Sequence, residues 1–308
     1  MPVPDFQSLM LPALKAIADG EAPLSEVRER ITTAEGLSAD DVRDMLPSGR
    51  QTKFANRVNW AAIHMMNAGL LERVSRGVYR LTQDGKSLLS RRPSRIDMNL
   101  LQHYPDYAIW RQQANAPHPG KDVPSSQDED ISDTPEEALD RADRRLRSAL
   151  EADILQRVRD ASPAFLEQAI VDLLIAMGYG DGDAAMGRVT GRSGDGGIDG
   201  TIREDALGLD EVYVQAKKYA EGNAVGESDL RNFAGAIDAA GTTKGVFVTT
   251  ANFTRNARDY VARSPKRIVL IDGSELARLM VRYGIGVRTR ATYEIKRVDE
   301  DYFDQEAL

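Results

Sequence analysis

Two stretches, GRSGDGGIDG (residues 191–200) and EVYVQAK (residues 211–217), decide how the second half of this chain folds. Apolar and polar residues alternate in EVYVQAK, which predicts a β-strand. Successive side chains of a strand point to opposite faces, so Gln215 and Lys217 project together from one face. The opposite face is apolar and carries Val212, Val214 and Ala216.

An amide beside an ammonium group is unfavourable inside a protein unless another group pairs with them. Gln215 and Lys217 therefore indicate either a site that binds a charged group or the exposed end of a strand. The strand taken alone leaves both interpretations open.

Four glycines surround Asp195 and Asp199 in the first stretch. They predict a sharp turn at which the chain passes close to another group. We expect Ile198 to point inward and Asp199 to point the other way. A tight hairpin with ordinary turn aspartates is the alternative.

An aspartate at a strand end, followed by Gln-x-Lys on the next strand, suggests a metal site. The Asp199 carboxylate, the Gln215 amide oxygen and the Ala216 carbonyl could hold a hard divalent cation. We expect Mg²⁺, with Mn²⁺ as the alternative. Such a cation polarises a phosphoryl oxygen, while Lys217 orients or deprotonates the attacking water.

A helix beginning at Ser162-Pro163 carries Glu167 beside an apolar stripe, so this acid could support the site. An acid near a helix N-terminus also interacts favourably with its own helix, which is the alternative role. Later strands and helices alternate and predict a mixed α/β domain. The strands are expected at 197–202, 211–217, 245–249 and 267–271, and the helices at about 227–240, 252–263 and 274–283. Thr249 and Thr250 follow one strand and could contact phosphate or cap the strand.

The first 90 residues predict helices followed by a β-hairpin. Apolar spacing indicates helices over about 5–19, from Ser25, from Ser38 (with Asp41 in a capping box) and over 51–67. Residues 70–82 then form two strand-like runs around Arg76-Gly77. This is the order of a winged helix, whose last long helix enters the major groove. A small helical adaptor that binds protein is the alternative.

Positive charge is concentrated in this region, although the whole chain has a net charge of −8. Residues 50–80 contain six basic residues and one acid. A local basic patch on an acidic chain is expected where one face touches DNA, although a solvated helix face would look the same. The candidate DNA contacts are Lys53, Arg57, Asn59, Arg73, Arg76 and Arg80.

Periodicity fails from about Arg91 to Asp133, where an acidic run, SSQDEDISD, has the character of a linker. The piece LLQHYPDYAIW is aromatic enough to dock on a neighbouring element. Thr134-Pro135 then begins a charged amphipathic helix to about Ala161, which serves as a spacer or a dimerisation helix. We therefore expect a DNA-binding domain at 1–90, a linker with this helix at 91–161, a catalytic domain at 162–290 and a tail at 291–308.

Composition excludes several classes of protein. The chain has no cysteine, so it has neither disulfides nor thiolate metal sites. No apolar run is long enough to span a membrane, and the N-terminus lacks the features of a signal peptide. We expect a cytoplasmic protein, associated with the nucleoid when bound to DNA, that needs no nucleotide cofactor.

The combination FLEQAIVDLLIAMGYG, GRSGDGGIDG, VYVQAKKY, GVFVTTANFTRNARDYV and IVLIDGSELARLM resembles the Mrr-type restriction endonuclease family. MPVPDFQSLMLPALKAI and NRVNWAAIHMMNAGLLERVSRGVYRLTQDG resemble the N-terminal domain of that family. The resemblance implies a winged helix followed by a PD-(D/E)xK nuclease domain with a mixed sheet. It implies catalytic roles for Asp199, Gln215 and Lys217, with Glu167 as the supporting acid, and Gln215 stands where the motif usually has an acid.

The family is similar to type IV restriction enzymes, so the expected substrate is double-stranded DNA with modified bases. Cutting both strands with one site per chain implies a homodimer or a higher homo-oligomer. A structure-directed nuclease, such as a junction resolvase, and a non-catalytic DNA-binding regulator are the alternatives.

Overall fold

The computed structural model describes residues 2–114, 132–190, 197–205, 207–299 and 302–303. The first part of the predicted glycine-rich turn, including Asp195, and most of the predicted acidic run lie outside these residues. The chain forms two compact units, Met1–Arg144 with Lys296–Leu308, and Arg145–Ile295. Within the described ranges, no helix has both the length and the apolar character that crossing a membrane requires.

The first unit is mainly helical, as predicted. Its helices and strands run in this order: α1 Met10–Ala16, β1 Ala22–Pro23, α2 Leu24–Glu35, α3 Ala39–Arg43, α4 Lys53–Asn67, β2 Leu71–Ser75, β3 Val78–Leu81, α5 Gln83–Ser90, α6 Met98–Leu101 and α7 Pro105–Ala114. The strands form an antiparallel sheet in the order β1-β3-β2. Gly77, with φ of 70°, makes the turn of the predicted hairpin, a conformation that favours glycine.

Side-chain caps fix the starts of helices α3 and α4. Ser38 and Asp41 form the predicted capping box, and Thr52 accepts a 3.1 Å hydrogen bond from the Ala55 amide at the start of α4. Helix α4 then buries one side in the core through Phe54 and Val58.

Residues 91–114 differ from the predicted linker because they belong to the first unit. Ile96, Leu101 and Tyr107 are fully buried in its core, so the aromatic piece docks as expected. Helices α6 and α7 are short and bury only one or two residues each, which is why the apolar spacing did not reveal them.

Helix α8, Pro135–Asp160, follows the predicted start, with Thr134 and Glu137 forming a reciprocal cap. The division between the two units falls within this helix, between Arg144 and Arg145. Its last turns, through Ile154 and Val158, pack in the core of the second unit.

The second unit is a mixed sheet between helices. After α8 it contains α9 Pro163–Ala176, β4 Gly187–Val189, β5 Gly200–Arg203, β6 Glu211–Lys217, β7 Ala224–Val225, α10 Glu227–Ala239, β8 Lys244–Thr249, β9 Asn252–Phe253, α11 Arg255–Arg263, β10 Arg267–Ile271 and α12 Gly273–Tyr283. The main sheet has the order β10-β8-β6-β5-β4. Strands β10, β8 and β6 are parallel, and β5 and β4 run antiparallel to their neighbours. Strands β7 and β9 form a small separate pair.

The alternation along the central strands builds two cores. Val214 and Val248 face one core, with α9 and α12, while Phe247 faces the other, with α10 and α11. The structure thus confirms the predicted mixed α/β class and places β6 at the centre of the sheet.

Candidate active site

Asp199 is held in the sheet ladder one residue before β5 begins. Its amide donates a 2.9 Å hydrogen bond to the Val214 carbonyl of β6, and its carbonyl accepts a 3.0 Å hydrogen bond from the Thr190 amide. The backbone of Asp199 therefore bridges β6 and the end of β4. As predicted, Ile198 is buried.

The Asp199 side chain reaches across to β6. Its Oδ2 accepts a 2.7 Å hydrogen bond from the backbone amide of Ala216. Ala216 lies between Gln215 and Lys217, so this hydrogen bond brings the predicted acid to the predicted Gln-x-Lys segment. The structure therefore assembles these residues at the carboxyl end of one strand.

The side-chain oxygen of Gln215 is free to bind a ligand. Its Oε1 is buried and has no hydrogen-bond partner among the described residues. The backbone of Gly197 approaches so closely that a Cβ on this residue would lie 2.5 Å from Gln215 Nε2. Gly197 also has φ of 89°, so this position favours glycine on both counts.

Glu167 lies in the second turn of α9 and is half-buried. Burial, and then the negative charge of Asp199, raises the pKa of Glu167 above its ordinary value. A helix N-terminus would lower the pKa of an acid, so the helix alone does not account for this environment. The charge of Asp199 therefore reaches Glu167.

Lys217 forms an ion pair that the sequence did not reveal. Its Nζ lies 2.5 Å from Oδ1 of Asp229, in the first turn of α10. Burial lowers the pKa of Lys217, but the hydrogen bond and charge of Asp229, helped by Tyr219, outweigh it and raise the pKa. The position of Asp229 three residues after Gly226, whose amide it accepts from, could have placed this acid at a helix start, but not next to Lys217.

These residues fit a hard divalent cation. Asp199 supplies a carboxylate, Gln215 a buried amide oxygen and Ala216 the intervening backbone carbonyl, which are the oxygen donors that Mg²⁺ accepts. Among the described residues, no three histidine or acidic side chains cluster as a metal site. A metal here would therefore depend on the amide and the backbone as well as on carboxylates.

Thr249 and Thr250 are fully buried. The Thr249 hydroxyl donates to the Lys217 carbonyl and the Thr250 hydroxyl to the Tyr219 carbonyl, both at 2.8 Å. Of the two roles considered for them, the structure favours strand capping, because the two hydroxyls hold the last residue of β6 and the chain just after it.

Arg57, a candidate DNA contact, points into its own unit instead. Its guanidinium lies 2.8 Å from Glu137 Oε1 and donates a 2.6 Å hydrogen bond to the Val3 carbonyl. Only 18% of the Arg57 side chain and 9% of the Glu137 side chain are exposed. The sequence showed the charge of Arg57 but not the buried acid that it neutralises.

The other candidate DNA contacts remain nearer the surface. Arg73, Arg76 and Arg80 are exposed on the hairpin, and Arg80 pairs with Glu72 at 2.6 Å. Lys53 pairs with Asp44 at 2.7 Å, and Asn59 is half-buried on α4.

A mixed sheet that presents an aspartate, an amide and a lysine together at one strand end is the arrangement expected of a nuclease of the restriction-endonuclease class. A family model described as "Restriction endonuclease" matches residues 158–280, and one described as "Mrr N-terminal domain" matches residues 6–91. The type IV methyl-directed restriction enzyme EcoKMrr of Escherichia coli (strain K12) is 34% identical over 311 residues, which cover 99% of this chain and 100% of the relative. The chain belongs to the Mrr family of restriction endonucleases.

Two solved structures also show similarity. The MspJI restriction endonuclease in complex with a 27-mer oligonucleotide has 18% identity and a TM-score of 0.32, over 67% of this chain and 48% of that chain. The DNA modification-dependent restriction endonuclease AspBHI has 21% identity and a TM-score of 0.36, over 71% of this chain and 56% of that chain.

Proposed function

We propose that this protein is a modification-dependent endonuclease that hydrolyses phosphodiester bonds of methylated double-stranded DNA with a divalent metal, Mg²⁺ or Mn²⁺. The observation that carries the proposal is the hydrogen bond from Ala216 to Asp199, which joins the acid to the strand of Gln215 and Lys217. Membership of the Mrr family and the methyl-directed activity named for the Escherichia coli relative support the choice of substrate.

The metal would be held by Asp199, Gln215 and the Ala216 carbonyl, and would polarise the scissile phosphate. Asp199 is already oriented by the Ala216 amide, so little reorganisation is needed at this ligand. Glu167, within electrostatic range of Asp199, adds negative charge that favours a cation.

Lys217 completes the site from the end of the same strand. Its amine orients the attacking water and places a positive charge near the phosphate as negative charge develops there. Because Lys217 is two residues from Gln215, strand geometry keeps both side chains on one face.

The first unit would bring the protein to DNA as a winged helix, with its hairpin on the phosphate backbone. Arg73, Arg76 and Arg80 are exposed on that hairpin, which suits phosphate contact. Lys53 and Asn59 on α4 are the remaining candidates. Arg57 is left out of this set because its charge is neutralised inside the unit. A protein with this function would be located in the cytoplasm, together with the DNA that it cuts.

Two protomers would each cut one strand, since one site hydrolyses one phosphodiester at a time. The measurement is the oligomeric state during cleavage, by light scattering or analytical ultracentrifugation on a methylated duplex. A strict monomer that makes double-strand breaks would contradict this part of the proposal.

The function is tested with one plasmid prepared unmodified and with 6-methyladenine, 5-methylcytosine or 4-methylcytosine. Wild-type protein with Mg²⁺ is expected to cut at least one methylated form and to spare the unmodified form. Lys217→Ala and excess EDTA should both abolish the cutting. Preference for a four-way junction would favour a structure-directed nuclease, and binding without cutting would favour a regulator.

A further inference from the structure

Asp229 contacts the candidate catalytic lysine from a different element of the fold. Its Oδ1 lies 2.5 Å from Lys217 Nζ, and its Oδ2 accepts a 3.3 Å hydrogen bond from the Gly226 amide at the start of α10. Asp229 thus joins the helix start to the end of β6. Its position in the first turn of α10 fixes where its carboxylate lies.

This ion pair is less exposed than most ion pairs of the same unit. Only 30% of the Lys217 side chain and 20% of the Asp229 side chain are exposed. By comparison, Asp238, near the other end of α10, is 73% exposed where it pairs with Lys266. A partly desolvated pair restrains its side chains more than a solvated pair does, because water screens it less.

A lysine needs such restraint to act at a phosphate. Its side chain has four flexible carbon–carbon bonds and carries about 2 kcal/mol of rotamer entropy. Productive geometry requires a catalytic group to be placed within about 0.5 Å. Besides Asp229, the ring of Tyr219 lies near Lys217, with its centroid 5.8 Å from Nζ.

We infer that Asp229 is a positioning residue for Lys217, holding the amine at the end of β6 beside Gln215. The role rests on the proposed nuclease function, because it presumes that Lys217 acts there. Asp229 itself does not contact the reacting atoms.

Variants can separate this role from helix capping. Asp229→Asn retains an oxygen that can accept from the Gly226 amide but removes the charge that holds Lys217. Asp229→Glu retains both the acceptor oxygen and the negative charge, since glutamate is a usual residue at the third position of a helix. Glu227→Gln is the matched control, because Glu227 is also in the first turn of α10 but pairs with Arg231.

The first readout does not depend on cleavage. Each protein, without metal or DNA, is treated with acetic anhydride, and acetylation of Lys217 is followed by peptide mass spectrometry. We expect Lys217 to react several-fold faster in Asp229→Asn than in wild type, and at the wild-type rate in Asp229→Glu and Glu227→Gln. Equal reactivity of Lys217 in wild type and Asp229→Asn would overturn the inference, whether or not the protein proves to be a nuclease.

The second readout is single-turnover cleavage of a methylated plasmid. Loss of an outer-shell partner of a metal ligand typically costs about 10- to 100-fold in activity, and we take the same factor for the partner of a catalytic lysine. We therefore expect the maximal single-turnover rate constant of Asp229→Asn to fall by about this factor with the half-saturating DNA concentration unchanged, and Asp229→Glu to recover most of the rate. If wild type cuts and Asp229→Asn cuts equally fast, the positioning role is wrong and the nuclease function stands. If Asp229→Asn proves unstable, a folded Asp229→Glu in which Lys217 is acetylated fast but cleavage keeps the wild-type rate would also contradict the inference.

Discussion

The carboxylate of Asp199 accepts a 2.7 Å hydrogen bond from the backbone amide of Ala216, which lies between Gln215 and Lys217 in β6. This contact ties the turn before β5 to the strand that carries the other candidate site residues. The donor of this hydrogen bond is a backbone amide of the sheet, so the position of β6 fixes the orientation of the Asp199 carboxylate. The site geometry is therefore built into the sheet.

Replacement of Gln215 by glutamate tests the proposed metal site. The change adds a negative oxygen where the structure has a buried amide oxygen without a partner among the described residues. More ligand charge strengthens binding of a hard cation, so we expect the Mg²⁺ concentration for half-maximal cleavage to fall about three- to tenfold. Without metal, Gln215→Glu should lower Tm, because a third carboxylate then lies near Asp199 and Glu167. The control is Gln102→Glu at an exposed site in the first unit, and an unchanged metal midpoint in Gln215→Glu would contradict the site.

Gly197→Ala should disturb Gln215 directly. A Cβ at this position would lie 2.5 Å from Gln215 Nε2, and φ of 89° costs a non-glycine residue about 1–2 kcal/mol. The control is Gly222→Ala, where φ is 87° but nothing lies within 4 Å of the added Cβ. We expect both variants to lose stability in urea denaturation and only Gly197→Ala to lose most of its cleavage rate. Equal cleavage by the two variants would show that the close contact with Gln215 is unimportant.

Arg57→Ala should affect stability and not the salt dependence of DNA binding. It removes a charged partner of the nearly buried Glu137, a loss of about 2–3 kcal/mol in the free energy of unfolding. Arg76→Ala, on the exposed hairpin, should leave stability unchanged and reduce the salt slope of DNA binding by about 1. Urea denaturation and binding isotherms at several salt concentrations measure both effects. The reverse pattern would place Arg57 on the DNA after all.

His64 should make stability depend on pH. Burial, with a smaller effect of the Arg111 charge, lowers the pKa of His64 from 6.5 to about 4, and its Nδ1 lies 2.7 Å from the Tyr107 hydroxyl. As the pH falls, His64 is therefore protonated near pH 6.5 in the unfolded chain but only near pH 4 in the folded chain. The stability that neutral His64 gives is complete above pH 6.5 and decreases as the pH falls toward 4, by on the order of 3 kcal/mol.

Urea denaturation between pH 7.5 and 4.5 measures this slope. His64→Gln should flatten it, and His103→Gln, at an exposed position, should leave it unchanged. A slope that persists in His64→Gln would assign the effect to another group.

Local patterns predicted four of the five strands of the main sheet, all except β4, and the positions of the three central candidate residues. The alternation in 211–217 placed Gln215 and Lys217 on one face because strand geometry depends only on neighbouring residues. The short spacing of Asp199 from this strand then brought it alongside. Caps such as Ser38 with Asp41 and Thr134 with Glu137 were predictable for the same reason.

Contacts made across the fold were not predictable from such patterns. Asp229 reaches Lys217 because α10 follows β6 and packs on that face of the sheet, and no spacing rule encodes this approach. Arg57 showed its charge in the sequence, but its partner, Glu137, lies 80 positions away. Helices α6 and α7 were not predicted, because they are stabilised by the burial of residues such as Tyr107 and not by a helical spacing of apolar residues.

The central claim is tested most directly by Asp199→Asn on a methylated plasmid that wild type cuts with Mg²⁺. Asparagine keeps the size of the side chain but removes the charge of the proposed metal ligand, and Asp172→Asn on the exposed face of α9 is the control. We predict that Asp199→Asn binds the plasmid as wild type does and cuts it about 100- to 1,000-fold more slowly or not at all, while Asp172→Asn cuts normally. Cleavage by Asp199→Asn at the wild-type rate, or undiminished wild-type cleavage in excess EDTA, would contradict the account.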